Sequence, residues 1–469
     1  MVLVLYNSLG RKLAKVEPVS GKKMTVYACG PTVHNYAHIG NFRTFVFVDM
    51  LRRYLAYKGY EVEHVMNITD VEDRIIDGIK RTGMGRKELT DFYTKAFMDD
   101  LESLNVKPAD HYPRATENID EMVKAIQSLI SKGYAYEKDG SVYFSIKKFK
   151  RYGELSGIRP EEGKKGARTA DDHYEKAGAN DFALWKAWDP DDGEVFWETP
   201  LGKGRPGWHI ECSVMSMKYL GETLDIHLGG LDLRFPHHEN EIAQSEALTG
   251  KKFVRHWEHS AMLTLEGGKM SKSLGNIVTL RDLLERGTPH RAIRLFLITA
   301  HYRDELKLTD KSIQQAVATL AGFDQLVRRL RSANGASDGE QARLLSEGLL
   351  SRFEEHLDAD FGVPAALAAL STFQRKVNSL LDSGAVSTKD ARSLLEALEK
   401  VDSVFGFLQL GEEEEDSPLI DELVARRELA RKRRDFAESD RLRSELERQG
   451  VVVEDTPQGP VWHRVSTPP

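Results

Sequence analysis

The chain has 469 residues, 41% hydrophobic and 30% charged, with a formal net charge of −7. That length exceeds one hydrophobic core, so three or more domains are expected, and the acidic balance excludes wholesale coating of nucleic acid while leaving room for local basic surfaces. No run reaches the ~18 apolar residues of a membrane span, and the opening residues 1–6 are too short for a secretion signal, so a reducing, cytoplasmic setting is expected.

Residues 24–29, ending in Cys29, predict a buried strand, and a Gly/Pro turn follows. Residues 45–57 carry apolar side chains at helical spacing, and 61–66 predict the next strand. Strand, helix and strand make a βαβ unit, hence a parallel α/β sheet. Ligands of such sheets lie beyond the carboxyl ends of the strands, where Cys29 and the turn after Thr69-Asp70 fall. Helical patterning covers 86–104 and 116–132. From 133 to about 206 the pattern breaks into short strands and charged loops, so residues 115–205 read as an insertion between two halves of the sheet domain, 1–114 and 206–250. A connecting region spans 251–311, and 312–411 is almost wholly amphipathic helix, which predicts a bundle. The charged stretch 412–418 reads as a linker. Residues 417–469 then give a small mixed domain: an arginine-dense helical stretch at 419–449, a strand at 451–453, and a turn leading to Trp462.

Two motifs carry nucleotide chemistry. Lys269-Met270-Ser271-Lys272-Ser273 lies between Gly267-Gly268 and Leu274-Gly275-Asn276, a hinge-like loop with two lysines. Far upstream, Gly30-Pro31-Thr32-Val33-His34-Asn35-Tyr36-Ala37-His38-Ile39-Gly40-Asn41 runs from a strand end through a turn into a helix. A helix N-terminus attracts phosphate, and mobile ammonium groups meet the charge that builds on a triphosphate during attack. Either motif alone is ordinary: a solvated basic turn, or a histidine near a helix cap. Together they predict adenylation with ATP, Lys272 on the phosphates, Lys269 assisting and His38 beside them.

In Phe235-Pro236-His237-His238-Glu239-Asn240-Glu241, His237 and Glu241 stand four apart and share a helix face. Such pairs are common on surfaces. The chain's two cysteines, Cys29 and Cys212, complete a set of two thiolates, an imidazole and a carboxylate, which suits zinc (Zn²⁺). His238 and Glu239 are expected to face elsewhere, as outer partners. In the tail, Arg431-Lys432-Arg433-Arg434 is a dense positive cluster, with Arg443 close behind. A charge run is usually a solvated helix face. Within an acidic protein it also fits phosphate contact, with Asp440, Arg443 and Asp455 for base edges and Trp462 for stacking.

These motifs resemble the cysteinyl-tRNA synthetase family of class I aminoacyl-tRNA synthetases, nearly end to end. The resemblance runs through Cys29-Gly30-Pro31-Thr32-Val33, Asn67-Ile68-Thr69-Asp70, Trp208-His209-Ile210-Glu211-Cys212, the His237 segment and the lysine loop. It extends to Asp358-Ala359-Asp360-Phe361 and Glu454-Asp455-Thr456-Pro457-Gln458-Gly459. It implies a Rossmann-like catalytic sheet with an inserted subdomain, then a helical bundle and a mixed C-terminal domain. It also implies ATP with Mg²⁺ as substrate, L-cysteine bordered by Gly30, Thr32, Thr69 and Trp208, and nucleotide contacts from Gly40, Asn41, Asp232 and Lys272. The resemblance further implies tRNA(Cys) as the acceptor, expected to be met by Arg431, Asp440, Arg443, Asp455 and Trp462, and a monomer is expected. Asn41 stands where the family usually has histidine, and His34 where tyrosine is common. Zinc on Cys29, Cys212, His237 and Glu241 is expected to take the substrate thiolate. A cysteine ligase of thiol biosynthesis, acting on an amino sugar, shares the catalytic half but has no need of 417–469. A zinc-dependent nucleic-acid binder without catalysis is the alternative of another class.

Overall fold

The computed structural model describes residues 2–158, 181–266, 268–269, 276–337, 339–410, 418–433, 435–448, 451–456 and 459–464. An antiparallel hairpin of β1 (Val4–Asn7) and β2 (Lys12–Lys15) comes first. β3 (Lys23–Ala28), α1 (Ile39–Tyr57) and β4 (Glu61–Met66) form the predicted βαβ unit, parallel from Lys23↔Glu61 to Ala28↔Met66. Next come α2 (Asp73–Thr82), α3 (Arg86–Ser103) and α4 (Ile119–Ser131). The insertion contributes an antiparallel sheet of β5 (Ala135–Lys138), β6 (Ser141–Phe144), β7 (Phe182–Ala187), β8 (Trp197–Thr199) and β9 (Gly202–Pro206), ordered β5-β6-β7-β9-β8. α5 (Trp208–Leu220), β10 (Leu224–Gly230), α6 (His237–Thr249) and β11 (Val254–Ser260) return the chain to the first sheet, whose all-parallel order is β11-β10-β3-β4.

Beyond that sheet, β12 (Leu263–Leu265), β13 (Gly268–Lys269), α7 (Leu280–Glu285), α8 (His290–Leu297) and β14 (Leu306–Leu308) make a small connecting unit with strand order β13-β12-β14. The bundle is α9 (Asp310–Arg331), α10 (Glu340–Asp358), α11 (Val363–Asp382) and α12 (Thr388–Phe405). α13 (Pro418–Lys432), α14 (Phe436–Arg448) and a hairpin of β15 (Val451–Thr456) and β16 (Gly459–Arg464) close the chain around their own small core of Ile420, Leu423, Leu442 and Leu446.

Alternation along β3 sorts its side chains onto two faces. Val26 and Ala28 join the core shared with α1 and the bundle, whereas Tyr27 and Cys29 join the core of α5, α6 and the insertion. α1 is buried on nearly every side, because the sheet packs against one flank and the bundle against another.

Several details depart from the sequence expectations. The helix predicted at 116–132 starts at Ile119, since Thr116 instead donates to the Asp70 carboxylate, from its amide at 2.9 Å and its hydroxyl at 2.6 Å. The helical stretch expected at 419–449 divides into two helices, and Asp435, which accepts from the Glu438 amide at 3.2 Å, starts the second. The strand at 451–453 runs on to Thr456 and pairs with the one that carries Trp462.

Asp73, at the start of α2, ties the insertion to the sheet domain. Lys186 of β7 reaches its Oδ2 at 2.7 Å, and Arg205 of β9 bonds its Oδ1. Burial alone would raise the Asp73 carboxyl, but Lys186 and then Arg205 outweigh it and hold it below its ordinary value. Asp73→Asn should therefore lower stability near pH 7 by about 1–3 kcal/mol, discounted for partial exposure. A depressed carboxyl loses its stabilising share as pH falls through its folded value, below the ~3.9 of free aspartate, so urea unfolding of the two proteins should converge there.

Candidate metal and nucleotide site

The candidate metal donors meet at the carboxyl end of the parallel sheet. Cys29 is the residue after β3, Cys212 lies in the second turn of α5, and His237 and Glu241 stand one turn apart at the start of α6. Their donor atoms all lie within 4.8 Å of one another, and all four residues are buried. Both cysteines are free thiols with Sγ atoms 3.8 Å apart, close to the ~3.8 Å edge of a tetrahedron with Zn–S bonds of about 2.3 Å. His237 Nε2 is 3.0 Å from Glu241 Oε1 and, among the described residues, makes no hydrogen bond of good geometry. These observations fit a zinc ion with its soft and borderline donors.

The electrostatics prepare the same group. Burial would raise the Cys212 thiol, yet Cys29 and His237 hold it down at about 6. Burial would lower the His237 imidazole, yet Cys212 and Glu241 push it up to about 10. Burial and the neighbouring Cys212 keep the Cys29 thiol well above its usual range. One negative sulfur, a carboxylate and a second thiol crowded together are what a divalent cation neutralises.

His238, expected to face elsewhere, instead brings its Nε2 to 3.4 Å from Cys29 Sγ. Gly229 of β10 makes room for it: a Cβ there would sit 2.6 Å from the His238 ring. A second set, Cys29, His227, His238 and Glu241, thus overlaps the first. Its members are already spoken for, His227 Nε2 at 3.0 Å from Glu241 Oε2 and His238 Nδ1 at 2.9 Å from His259 Nε2. They read as partners that orient the donors from behind. Glu239 does face away, accepting from the amides of Gly153 and Ser156 in the insertion.

Around the cluster, the half-buried Trp208 ring lies 4.2 Å from the His237 ring, centroid to centroid. Thr69 donates to Glu211 Oε2 at 3.0 Å, and Thr32 pairs with Thr69 across the strand ends. Gly30 donates its amide to Asn67 Oδ1 at 2.9 Å, and any Cβ there would fall 1.7 Å from the Asn67 carbonyl, so only glycine fits. Sequence reasoning missed Glu211, which is wholly buried and whose Oε1 has no hydrogen-bond partner among the described residues. The signal was its place inside the Trp208–Cys212 motif.

His38 caps α1. Its Nδ1 accepts from the Asn41 amide at 3.2 Å, while Asn41 Oδ1 accepts from the His38 amide at 3.1 Å. Gly40 lies in the first turn between them. Asp232 is exposed on the short 3-10 turn Leu231–Arg234 that follows β10. Lys269 lies on β13 opposite Thr264, whereas Lys272 falls outside the described residues. In the tail, Arg431 is exposed near the end of α13, and Asp440 and Arg443 are exposed on α14, where Arg443 pairs with Glu447 at 3.0 Å. Asp455 and Trp462 occupy facing strands of the terminal hairpin.

Residues 15–318 match the class I (C) tRNA synthetase catalytic domain, 352–409 the DALR domain, and 415–462 the cysteinyl-tRNA ligase anticodon binding domain. A cysteine–tRNA ligase of Brachyspira hyodysenteriae is 43% identical, over 98% of this chain and 99% of that protein. One of Chlamydia muridarum is 46% identical over the same shares. Among solved structures, Mycobacterium tuberculosis methionyl-tRNA synthetase in complex with methionyl-adenylate superposes with a TM-score of 0.62 at 15% identity, covering 86% of this chain and 94% of that one, a likeness of fold. From end to end, the chain belongs to the cysteine–tRNA ligase family of class I aminoacyl-tRNA synthetases.

Proposed function

We propose that the chain activates L-cysteine with ATP and passes the cysteinyl group to the 3′-terminal adenosine of tRNA(Cys), selecting its amino acid through zinc on Cys29, Cys212, His237 and Glu241. A cysteine carboxylate oxygen attacks the α-phosphorus, and the bond to the β-phosphate oxygen breaks as pyrophosphate leaves. The ribose 2′-hydroxyl of the tRNA then attacks the adenylate carbonyl, and AMP departs. Zinc supplies a coordination position that accepts sulfur and disfavours a hydroxyl, a distinction that an apolar pocket makes poorly.

The protein's own groups position and neutralise. Gly30, Thr32, Thr69 and Trp208 border the amino acid. The N-terminus of α1, with His38, Gly40 and Asn41, faces the phosphates, Asp232 the adenosine, and Lys269 and Lys272 the departing pyrophosphate with its Mg²⁺. Arg431, Asp440, Arg443, Asp455 and Trp462 serve the tRNA. A cytoplasmic monomer fits this work, and among the described residues no helix is long and apolar enough to cross a membrane.

The observation that carries this reading is the four buried donors within 4.8 Å of one another at the sheet's carboxyl end. The test is cysteine-dependent ATP–pyrophosphate exchange, followed by charging of a tRNA(Cys) transcript against an amino-sugar acceptor. Exchange with esterified tRNA is expected. Exchange with product only on the amino sugar would move the chain to thiol biosynthesis, and no exchange would leave a binding protein.

A further inference from the structure

Arg43, in the second turn of α1, is 3% exposed, and among the described residues no carboxylate accepts a hydrogen bond from it. Its guanidinium donates to four backbone carbonyls. Nη1 reaches Ala261 O at 2.9 Å and Met262 O at 2.7 Å, while Nη2 reaches His301 O at 3.0 Å and also bonds Asp304 O. Met262 is the residue before β12, and Asp304 lies two residues before β14, so one side chain holds the starts of both strands. Burial lowers the guanidinium to about 10, which leaves it charged near neutrality.

Neighbouring groups hold the start of α1 to the parallel sheet and to the segment before α7. Thr44 Oγ1 lies 2.6 Å from Ser260 Oγ, at the end of β11. The Ile39 amide donates to Val278 O at 2.9 Å, and His38 bridges Thr279. β12 is the strand that pairs with β13, placing Lys269 opposite Thr264. The first two turns of α1 therefore fix two things at once: the helix N-terminus that opens the nucleotide site, and the small sheet that bears Lys269.

We infer that Arg43 is a positioning residue for adenylate formation: it sets the distance between the α1 N-terminus and Lys269 by clamping the strand starts at Met262 and Asp304. The inference rests on the proposed role of Lys269 at the phosphates. Four carbonyls on two segments demand the planar, five-donor fork of arginine; the compact three-donor ammonium of lysine cannot span them. Misplacement of a charged group by about 1 Å costs roughly 10²-fold in rate.

The test compares Arg43→Lys, Lys269→Ala and the double variant in cysteine-dependent ATP–pyrophosphate exchange. Arg43→Lys should lower kcat by about 10- to 100-fold and leave the KM for cysteine within about twofold. In the Lys269→Ala background the same change should cost less than about threefold, because the clamp then has no ammonium to place. A merely structural role would instead give multiplicative losses and a raised cysteine KM, and either result overturns the inference. If Arg43→Lys does not fold, Arg43→Gln, which keeps two N–H donors and gives up the charge, tests the same clamp: a kcat loss that vanishes with Lys269→Ala supports it, and an additive loss overturns it. Absence of exchange by the unaltered protein would instead defeat the functional reading on which this rests.

Discussion

Cys212→Ser is expected to lower kcat/KM for cysteine in pyrophosphate exchange by about 10³-fold or more, a loss of about 4 kcal/mol, while ATP binding changes by less than about threefold. The reason is local. Cys212 shares the cluster with Cys29, His237 and Glu241, and its thiol is the one held down at about 6. Serine keeps the shape and removes the soft anionic donor, so the proposed zinc would lose a ligand in a buried site. The groups proposed to meet ATP, at the α1 N-terminus and on β13, belong to other elements. Equal losses for cysteine and ATP would point to a zinc ion that only holds α5 and α6 together.

Removing the metal should have the second large effect. Chelation is expected to abolish cysteine activation and to lower the melting temperature, and added zinc should restore both. Without a cation, one negative sulfur, the Glu241 carboxylate and the Cys29 thiol crowd together beside the His227 and His237 rings. The ligands must be deprotonated to bind metal, so acidification should release it. Activity that survives chelation, with zinc shown to be gone, would sink the proposed selection mechanism.

Much of this site was legible because its chemistry is carried by rare residues in short motifs. With two cysteines in the chain, a metal set had few ways to form, and His237 with Glu241 needed only helical periodicity. The βαβ unit was equally plain, since β3 and β4 are short apolar runs on either side of a helical pattern. The rest depended on contacts distant in sequence. His227 and His259 reach the cluster from β10 and β11, and His238 turns inward only because Gly229 vacates its space. Arg43 belongs to no chemical motif, and its four carbonyl partners lie more than 200 positions away in the chain. Helix ends failed where a polar side chain, such as Asp70 or Asp435, captured a nearby amide.

The most direct test of zinc as the selector is the absorption spectrum of the cobalt-substituted protein, titrated with cysteine and with serine. A substrate sulfur bound at the metal should add sulfur-to-cobalt charge-transfer intensity with cysteine and none with serine. A spectrum unmoved by saturating cysteine would contradict the account.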